Sequence, residues 1–229
     1  MEKVTVLSLG GSIIVPKEID LPFLKKFTDA IRTYLDADRE RKLIIVTGGG
    51  ALAREYQGAY KELCDEPKAE LLDWLGIGAT HLNGTLMRSL LSDYCFDPLV
   101  SDPTAEINFK GQVLVAAGWK PGFSTDTDAV YLAQRFGAKT IINLSNIAKV
   151  YTGDPKIDPS AQPLDAISWS DFRAMIGDEW IPGRNVPFDP VASKEAHNSG
   201  IEVVCGDGRN IENTMAILEG REYAGTLIS

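Results

Sequence analysis

Cysteine and histidine are scarce in this sequence. The three cysteines, Cys64, Cys95 and Cys205, are odd in number and far apart, and the two histidines, His81 and His197, stand alone. That excludes a disulfide framework and a zinc site built on histidines or paired cysteines. His197 falls in a helical stretch and reads as a surface or satisfied residue. Long apolar runs are missing too, since none approaches the roughly 18 residues of a membrane helix. Positive charge is in deficit: 23 Lys and Arg face 32 Asp and Glu, a net charge of −9. Such a chain is poorly suited to nucleic acid, whose affinity comes largely from neutralised phosphates. Neither G-x-G-x-x-G nor G-x-x-x-x-G-K-[ST] occurs, so a Rossmann dinucleotide site and a P-loop have no support. Repeats and low-complexity tracts do not stand out. Met1 and Glu2 lead straight towards an apolar strand, with the expectation of no leader and a cytoplasmic protein.

Glycine, by contrast, is abundant and clustered. A strand over residues 4–9 runs into Gly10, Gly11 and Ser12, and a second over 43–47 runs into Gly48, Gly49 and Gly50. Strands over 113–117, 140–144, 201–205 and 226–228 follow from short β-branched apolar runs, with a further short one over 97–101. Between them lie helices. Asp20 caps one that carries Leu21, Leu24, Phe27, Ile31 and Leu35 at helical spacing. Another starts near Ala51, and residues 70–91 form one long helix with a broad apolar face. Helices over 125–136, from Ser170 to Gly177, over 190–199 and from Asn210 to Leu218 complete the pattern. Residues 151–162 and 178–187 read as irregular, and Gly206, Asp207 and Gly208 as a third glycine turn. Alternating strands and helices predict an α/β fold, a three-layer α/β/α sandwich with a mostly parallel central sheet. No linker divides the chain. It reads as a single domain over 1–229, with lobes over 1–138 and 139–229.

Glycine turns where strands end let backbone N–H groups approach a ligand, and in open α/β sheets ligands sit at the carboxyl ends of the strands. A small anion is therefore a fitting ligand even for an acidic chain. Arg54 lies one helical turn past Gly50, where its guanidinium could fork onto a phosphate at the helix N-terminus.

These stretches carry a resemblance. Residues 9–16 (LGGSIIVP), 48–56 (GGGALAREY), 73–77 (DWLGI), 121–126 (PGFSTD), 150–155 (VYTGDP), 189–194 (DPVASK) and 199–201 (SGI) resemble the amino-acid-kinase superfamily. Within it they are most similar to the UMP kinase (uridylate kinase) branch of archaeal type. The resemblance implies transfer of the ATP γ-phosphoryl group to UMP with Mg²⁺, the first lobe binding the acceptor and the second ATP. It assigns Gly48, Gly49, Gly50 and Arg54 to the UMP phosphate, Asp73 to the ribose hydroxyls, and Ser124 and Thr125 to the far side of the acceptor. Gly10, Gly11 and Ser12 would cradle the transferring group, with Tyr151, Asp154 and Pro155 bordering the ATP base and ribose and Asn146 and Gly206 nearby. Lys194 would neutralise the γ-phosphate, and Asp126 would orient that lysine or the Mg²⁺ ion, with Asp128 a second candidate. No metal site made of protein ligands alone is implied. The nucleophile would be a phosphate oxygen, already anionic at neutral pH, so no general base is required. Family members are commonly hexamers built from dimers, which makes the long apolar helix a candidate contact.

The chain also departs from that family. Ser8 stands where many members have lysine, Ala148 and Lys149 stand where Asp-Gly is usual, and Trp119 and Lys120 replace smaller residues. Two other readings stay open: the same kinase fold with another small phosphorylated or carboxylated acceptor, and a nucleotide-binding regulator or storage-type homologue without turnover.

Overall fold

The computed structural model describes residues 3–155, 157–177 and 186–229. The first half of the chain runs β1 (Lys3–Leu9), α1 (Gly11–Ile14), α2 (Leu21–Asp36), β2 (Arg41–Thr47), α3 (Gly50–Leu63), α4 (Ala69–Leu90), β3 (Val113–Ala116) and α5 (Thr125–Phe136). The second half runs β4 (Thr140–Ser145), β5 (Val150–Tyr151), β6 (Pro163–Leu164), β7 (Ala166–Ile167), α6 (Trp169–Ile176), α7 (Pro190–Asn198), β8 (Glu202–Asp207), α8 (Ile211–Leu218) and β9 (Thr226–Ile228).

Seven strands form one sheet in the order β3-β2-β1-β4-β8-β9-β7. The pairs from β3 through β8 are parallel, while β9 runs antiparallel to β8 and parallel to β7. Alternation along the strands divides the core. Val6, Ile44, Val46, Leu114, Ala116, Ile141 and Val203 face one side, with α5, α6 and α7. Leu7, Leu9, Leu43, Ile45, Val115, Ile142 and Leu144 face the other, against α1, α2, α8 and the end of α4. Both faces are covered, as a parallel sheet requires. This is the mostly parallel α/β layering expected from the sequence.

Local chemistry explains most element boundaries. The Asp20 carboxylate accepts from the Phe23 amide at 3.0 Å, and the Asn210 side chain from the Asn213 amide at 3.0 Å, each capping its helix. Gly137, with φ +69°, closes α5 in the left-handed conformation.

Several expectations shift. The cap of α6 is Ser168, not Ser170: its hydroxyl oxygen accepts from the Asp171 amide at 3.1 Å. Residues 97–101 make only an isolated bridge, Val100 to Ala116, since Pro98 has no amide to extend the ladder. Tyr151 pairs with Pro163 in a two-stranded antiparallel ribbon, so the loop starts after it. The third glycine turn starts later than expected, because Gly206 and Asp207 still pair with Leu144 and Ser145. Of the irregular stretch expected over 178–187, residues 178–185 lie outside the described residues.

Candidate active site

The parallel strands end level with one another. Leu9 is paired with both Thr47 and Leu144, Val46 with Ala116, and Ser145 with Asp207. Strand order reverses between β1 and β4, so the crevice outside their carboxyl ends is a topological switch point. Gly10 leaves β1 there and donates its amide to the Leu144 carbonyl at 2.8 Å.

The two glycine clusters interlock at this edge. A Cβ on Gly11 would lie 2.0 Å from the Gly50 nitrogen and 2.6 Å from the Gly49 nitrogen, and one on Gly48 would lie 2.4 Å from the Gly11 nitrogen. Gly50 has φ +65°, and a Cβ there would meet the Gly11 carbonyl oxygen at 2.2 Å. Only glycine permits two loops to pass backbone against backbone this closely. The Gly48 amide donates to Leu9 O at 3.0 Å, and the Ala51 amide to Val15 O at 2.8 Å. The amides of Gly11, Ser12, Gly49 and Gly50 have no acceptor among the described residues. Unpaired backbone donors at strand ends suit an anion.

Helix α4 holds the first-lobe loops. The Asn83 side-chain amide, in a residue only 3% exposed, donates to the carbonyls of Gly48 (2.7 Å) and Gly49 (3.3 Å). One turn away, the Thr80 hydroxyl oxygen accepts from the Gly118 amide at 2.9 Å, and His81 Nε2 lies 2.8 Å from the Gly118 carbonyl oxygen. At the start of the helix the Asp73 carboxylate accepts from the Gly122 amide at 2.9 Å. Arg54, exposed on α3, donates only to Pro16 O at 3.4 Å, leaving the rest of its fork uncommitted. Ser124 caps α5 through the Thr127 amide at 3.2 Å, and Thr125, half-buried, follows it.

The first turn of α5 brings two carboxylates to the crevice. Asp126 accepts from the Ser8 hydroxyl at 3.1 Å and from the Asp189 amide, at the cap of α7, at 3.2 Å. Burial, reinforced by the Asp189 charge, raises its pKa to about 6. Asp128 is 1% exposed; its Oδ2 accepts from the Trp119 amide at 3.2 Å and its Oδ1 has no partner. Burial again leads, and its pKa rises to about 7. Lys194 is exposed on α7, five residues past Asp189, and no hydrogen bond or ion pair among the described residues ties it to Asp126.

The remaining candidates follow or lie within the later strands. Asn146 and Tyr151 flank the exit from β4, and Asp154 and Pro155 lie at the exposed tip beyond β5, where the Asp154 carbonyl accepts from the amides of Ile157 (2.9 Å) and Asp158 (2.8 Å). Gly206 is inside β8, buried under Ile217. Lys149 is paired with Asp165. A separate cleft of about 530 Å³, lined by Trp119, Phe123 and Tyr131 among others, contains none of the candidate residues. Sequence reasoning missed Asn83 and Asp189. Asn83 sits in a helix face otherwise apolar or small, and a polar amide there must find a buried partner.

Comparison with known proteins identifies the family. Residues 3–207 match the Amino acid kinase family. A uridylate kinase of Methanospirillum hungatei is 34% identical over 227 residues, covering 98% of this chain and 94% of that one. One of Pyrobaculum neutrophilum is 34% identical over 225 residues, covering 98% of each. The crystal structure of uridylate kinase from Archaeoglobus fulgidus superposes with a TM-score of 0.82 at 31% identity, covering 98% of this chain and 99% of that one. That of UMP kinase from Ureaplasma parvum, at 20% identity and TM-score 0.80, shares the fold.

Proposed function

The chain belongs to the amino acid kinase family, and on that premise we propose that it is a UMP kinase, moving the ATP γ-phosphoryl group to UMP to give UDP and ADP. The observation that carries this reading is the pair of interlocked glycine loops, with unpaired amides at the switch point of the sheet. Two phosphate groups must approach in line for transfer, and two adjoining amide cradles supply that approach. The chemistry then needs charge neutralisation and no base.

In this assignment the half of the chain up to residue 138 takes the acceptor and the half from 139 takes ATP. Gly48, Gly49, Gly50 and Arg54 hold the UMP phosphate. Asp73 gives one carboxylate oxygen to Gly122 and offers the other to a ribose hydroxyl. Ser124 and Thr125 close the acceptor side. Gly10, Gly11 and Ser12 receive the γ-phosphoryl group, which Lys194 neutralises from its mobile stem. Asn146, Tyr151, Asp154, Pro155 and Gly206 border the nucleoside of ATP. Lys149 stays with Asp165 and adds no phosphate contact.

Among the described residues no three acidic, histidine or cysteine side chains are grouped to hold a metal. That donor set fits Mg²⁺ arriving on the ATP phosphates, since Mg²⁺ usually takes only one or two protein carboxylates. Asp126 would be the carboxylate offered to it; the ion's part is to screen phosphate charge.

Apolar side chains on α3 and α4 support self-association. Tyr56, Leu63, Leu71, Trp74 and Leu82 are exposed, and α3 buries no residue in the chain alone. Covering that face with a second copy gives the dimer from which a hexamer would be built. No helix among the described residues is long and apolar enough to cross a membrane.

The test is ADP formation from ATP and Mg²⁺ with UMP, CMP, AMP, GMP or dTMP as acceptor. UMP turnover well above the others is the expected result. No turnover with any of the five overturns the assignment.

A further inference from the structure

Three consecutive glycines are a poor way to hold a precise anion site. Gly48, Gly49 and Gly50 have the widest backbone freedom of any residue type, so no side chain of the loop itself fixes the peptide units between them. A flipped unit would turn a carbonyl oxygen, rather than an N–H, towards the anion. Something outside the loop must fix the orientation, and the described hydrogen bonds name it.

Asn83 donates to the carbonyl oxygens of Gly48 and Gly49, at 2.7 and 3.3 Å. Both partners are acceptors, which assigns the nitrogen of the side-chain amide to them. In a trans peptide the N–H points opposite to its C=O, and no cis bond occurs among the described residues. Two carbonyls pulled towards α4 therefore send the amides of Gly49 and Gly50 the other way. Those two nitrogens lie on the side of Gly11, within 2.6 and 2.0 Å of where a Cβ on that residue would stand. They lie against the first glycine loop.

Asn83 itself is fixed. It shares the buried face of α4 with Ile77, Thr80, Gly84 and Met87. The Thr47 hydroxyl, at the end of β2, lies 3.1 Å from the Thr80 carbonyl and 3.3 Å from that of Ala116 and ties the helix to the sheet. A Cβ on Gly84 would come within 3.0 Å of that hydroxyl, so α4 passes the end of β2 at close range.

We propose that Asn83 is a positioning residue for the acceptor phosphate: it pins the Gly48 and Gly49 carbonyls and so holds the Gly49 and Gly50 amides in the donating orientation. It touches neither substrate. The inference rests on the reading of this loop as the UMP phosphate cradle. It goes beyond that reading by assigning the loop's specificity for an anion to one buried side chain on another element.

The experiment compares Asn83→Ser and Asn83→Asp with the parent chain. Asn83→Ser shortens the donor so that it reaches neither carbonyl, and Asn83→Asp keeps the shape but removes the donor. The KM values for UMP and ATP are measured separately, with near-UV circular dichroism as the check on folding. The expected result is a KM for UMP raised by about tenfold or more while the KM for ATP changes by less than about twofold. A UMP KM that stays near that of the parent, or two KM values that rise together, overturns the proposal. A second readout needs no activity. In protein labelled with ¹⁵N-glycine, the Gly49 and Gly50 signals should be single and sharp in the parent and doubled or broadened in Asn83→Ser. Unchanged signals overturn the proposal even if the KM moves. A parent chain that turns over no UMP overturns the kinase assignment instead, and the glycine signals then decide the role of Asn83 alone.

Discussion

Replacing Asp128 by asparagine should flatten the pH dependence of stability. The carboxyl group sits in the first turn of α5 at 1% exposure, with one oxygen held by the Trp119 amide and the other without a partner. Burial, with smaller contributions from the charges of Asp126 and Asp102, raises its pKa from 3.8 to about 7, and the Trp119 hydrogen bond offsets only part of that. The sign follows from proton counting. Between those two values the folded chain keeps a proton that the unfolded chain has released, so the native state binds more protons and stability falls as pH rises. The contribution is complete below the unfolded value and is lost as pH passes the folded one. From pH 5 to pH 8 the loss from this one group comes to about 2–3 kcal/mol, at 1.36 kcal/mol per pKa unit.

Asparagine keeps the acceptor for the Trp119 amide and has no proton to lose. The assay is urea unfolding of both proteins at pH 5 and pH 8. Asp126, raised to about 6, slopes in the same direction, but it is common to both proteins and drops out of their difference. The stability of Asp128→Asn relative to the parent should improve by about 2–3 kcal/mol between the two pH values, or roughly 1 M in urea midpoint for a slope near 3 kcal/mol/M. A difference between the two proteins that is the same at pH 5 and pH 8 would refute the argument, since it would mean that Asp128 is ionised in the folded chain throughout.

Gly48→Ala places a Cβ 2.4 Å from the Gly11 nitrogen; both neighbours are backbone, so the variant should lose about 2 kcal/mol or more in thermal or urea unfolding. A change below about 0.5 kcal/mol would show that the loops separate freely. Lys194→Ala removes an exposed side chain with no hydrogen bond among the described residues, so stability should hold within about 0.5 kcal/mol while kcat falls by about two orders of magnitude or more. Unchanged turnover in that variant would remove Lys194 from the transfer step. Trp74→Glu puts a charge on the exposed face of α4 and should shift the mass seen by light scattering to a smaller species; an unchanged mass would locate any interface elsewhere.

Much of this architecture was legible in the sequence because it rests on local signals. The buried strands read directly from their β-branched runs, and the caps Asp20 and Asn210 from side chains that satisfy orphan amides one turn ahead. The glycine clusters were legible as loops at strand ends, but only half of their meaning was. Gly11 and Gly48 are required as much by each other as by any ligand, and a contact between residues 37 apart in the chain leaves no local trace. Where two local signals competed, the reading slipped. Ser168 and Ser170 both precede an apolar stretch, and the one that caps α6 is fixed by where Ile167 leaves β7. Gly206 carries a turn residue's composition but is held in β8 by parallel pairing to β4, a tertiary preference that overrides the local one. The bonds that join Asn83 to Gly48 and Gly49, and Thr80 and His81 to Gly118, were beyond periodicity altogether, since a helical pattern reports which face is buried and not what that face grips.

Ser8 shows how one departure from the family pattern propagates. With lysine at that position, a cation would stand beside Asp126. Here a neutral hydroxyl donates to it at 3.1 Å, and the neighbouring charge that acts on it is the like-charged Asp189. Burial, reinforced by the Asp189 charge, raises the pKa of Asp126 to about 6; the Ser8 hydroxyl opposes that rise, though less than an ammonium would. At pH 7 roughly nine-tenths of the carboxyl groups are still ionised, and that negative charge has no ion-pair partner among the described residues. In a protein of net charge −9, the proposed attraction for two anions then rests on the unpaired glycine-loop amides and on two exposed cations, Arg54 and Lys194. Neither cation is committed to an ion pair among the described residues, which leaves both charges available to phosphate.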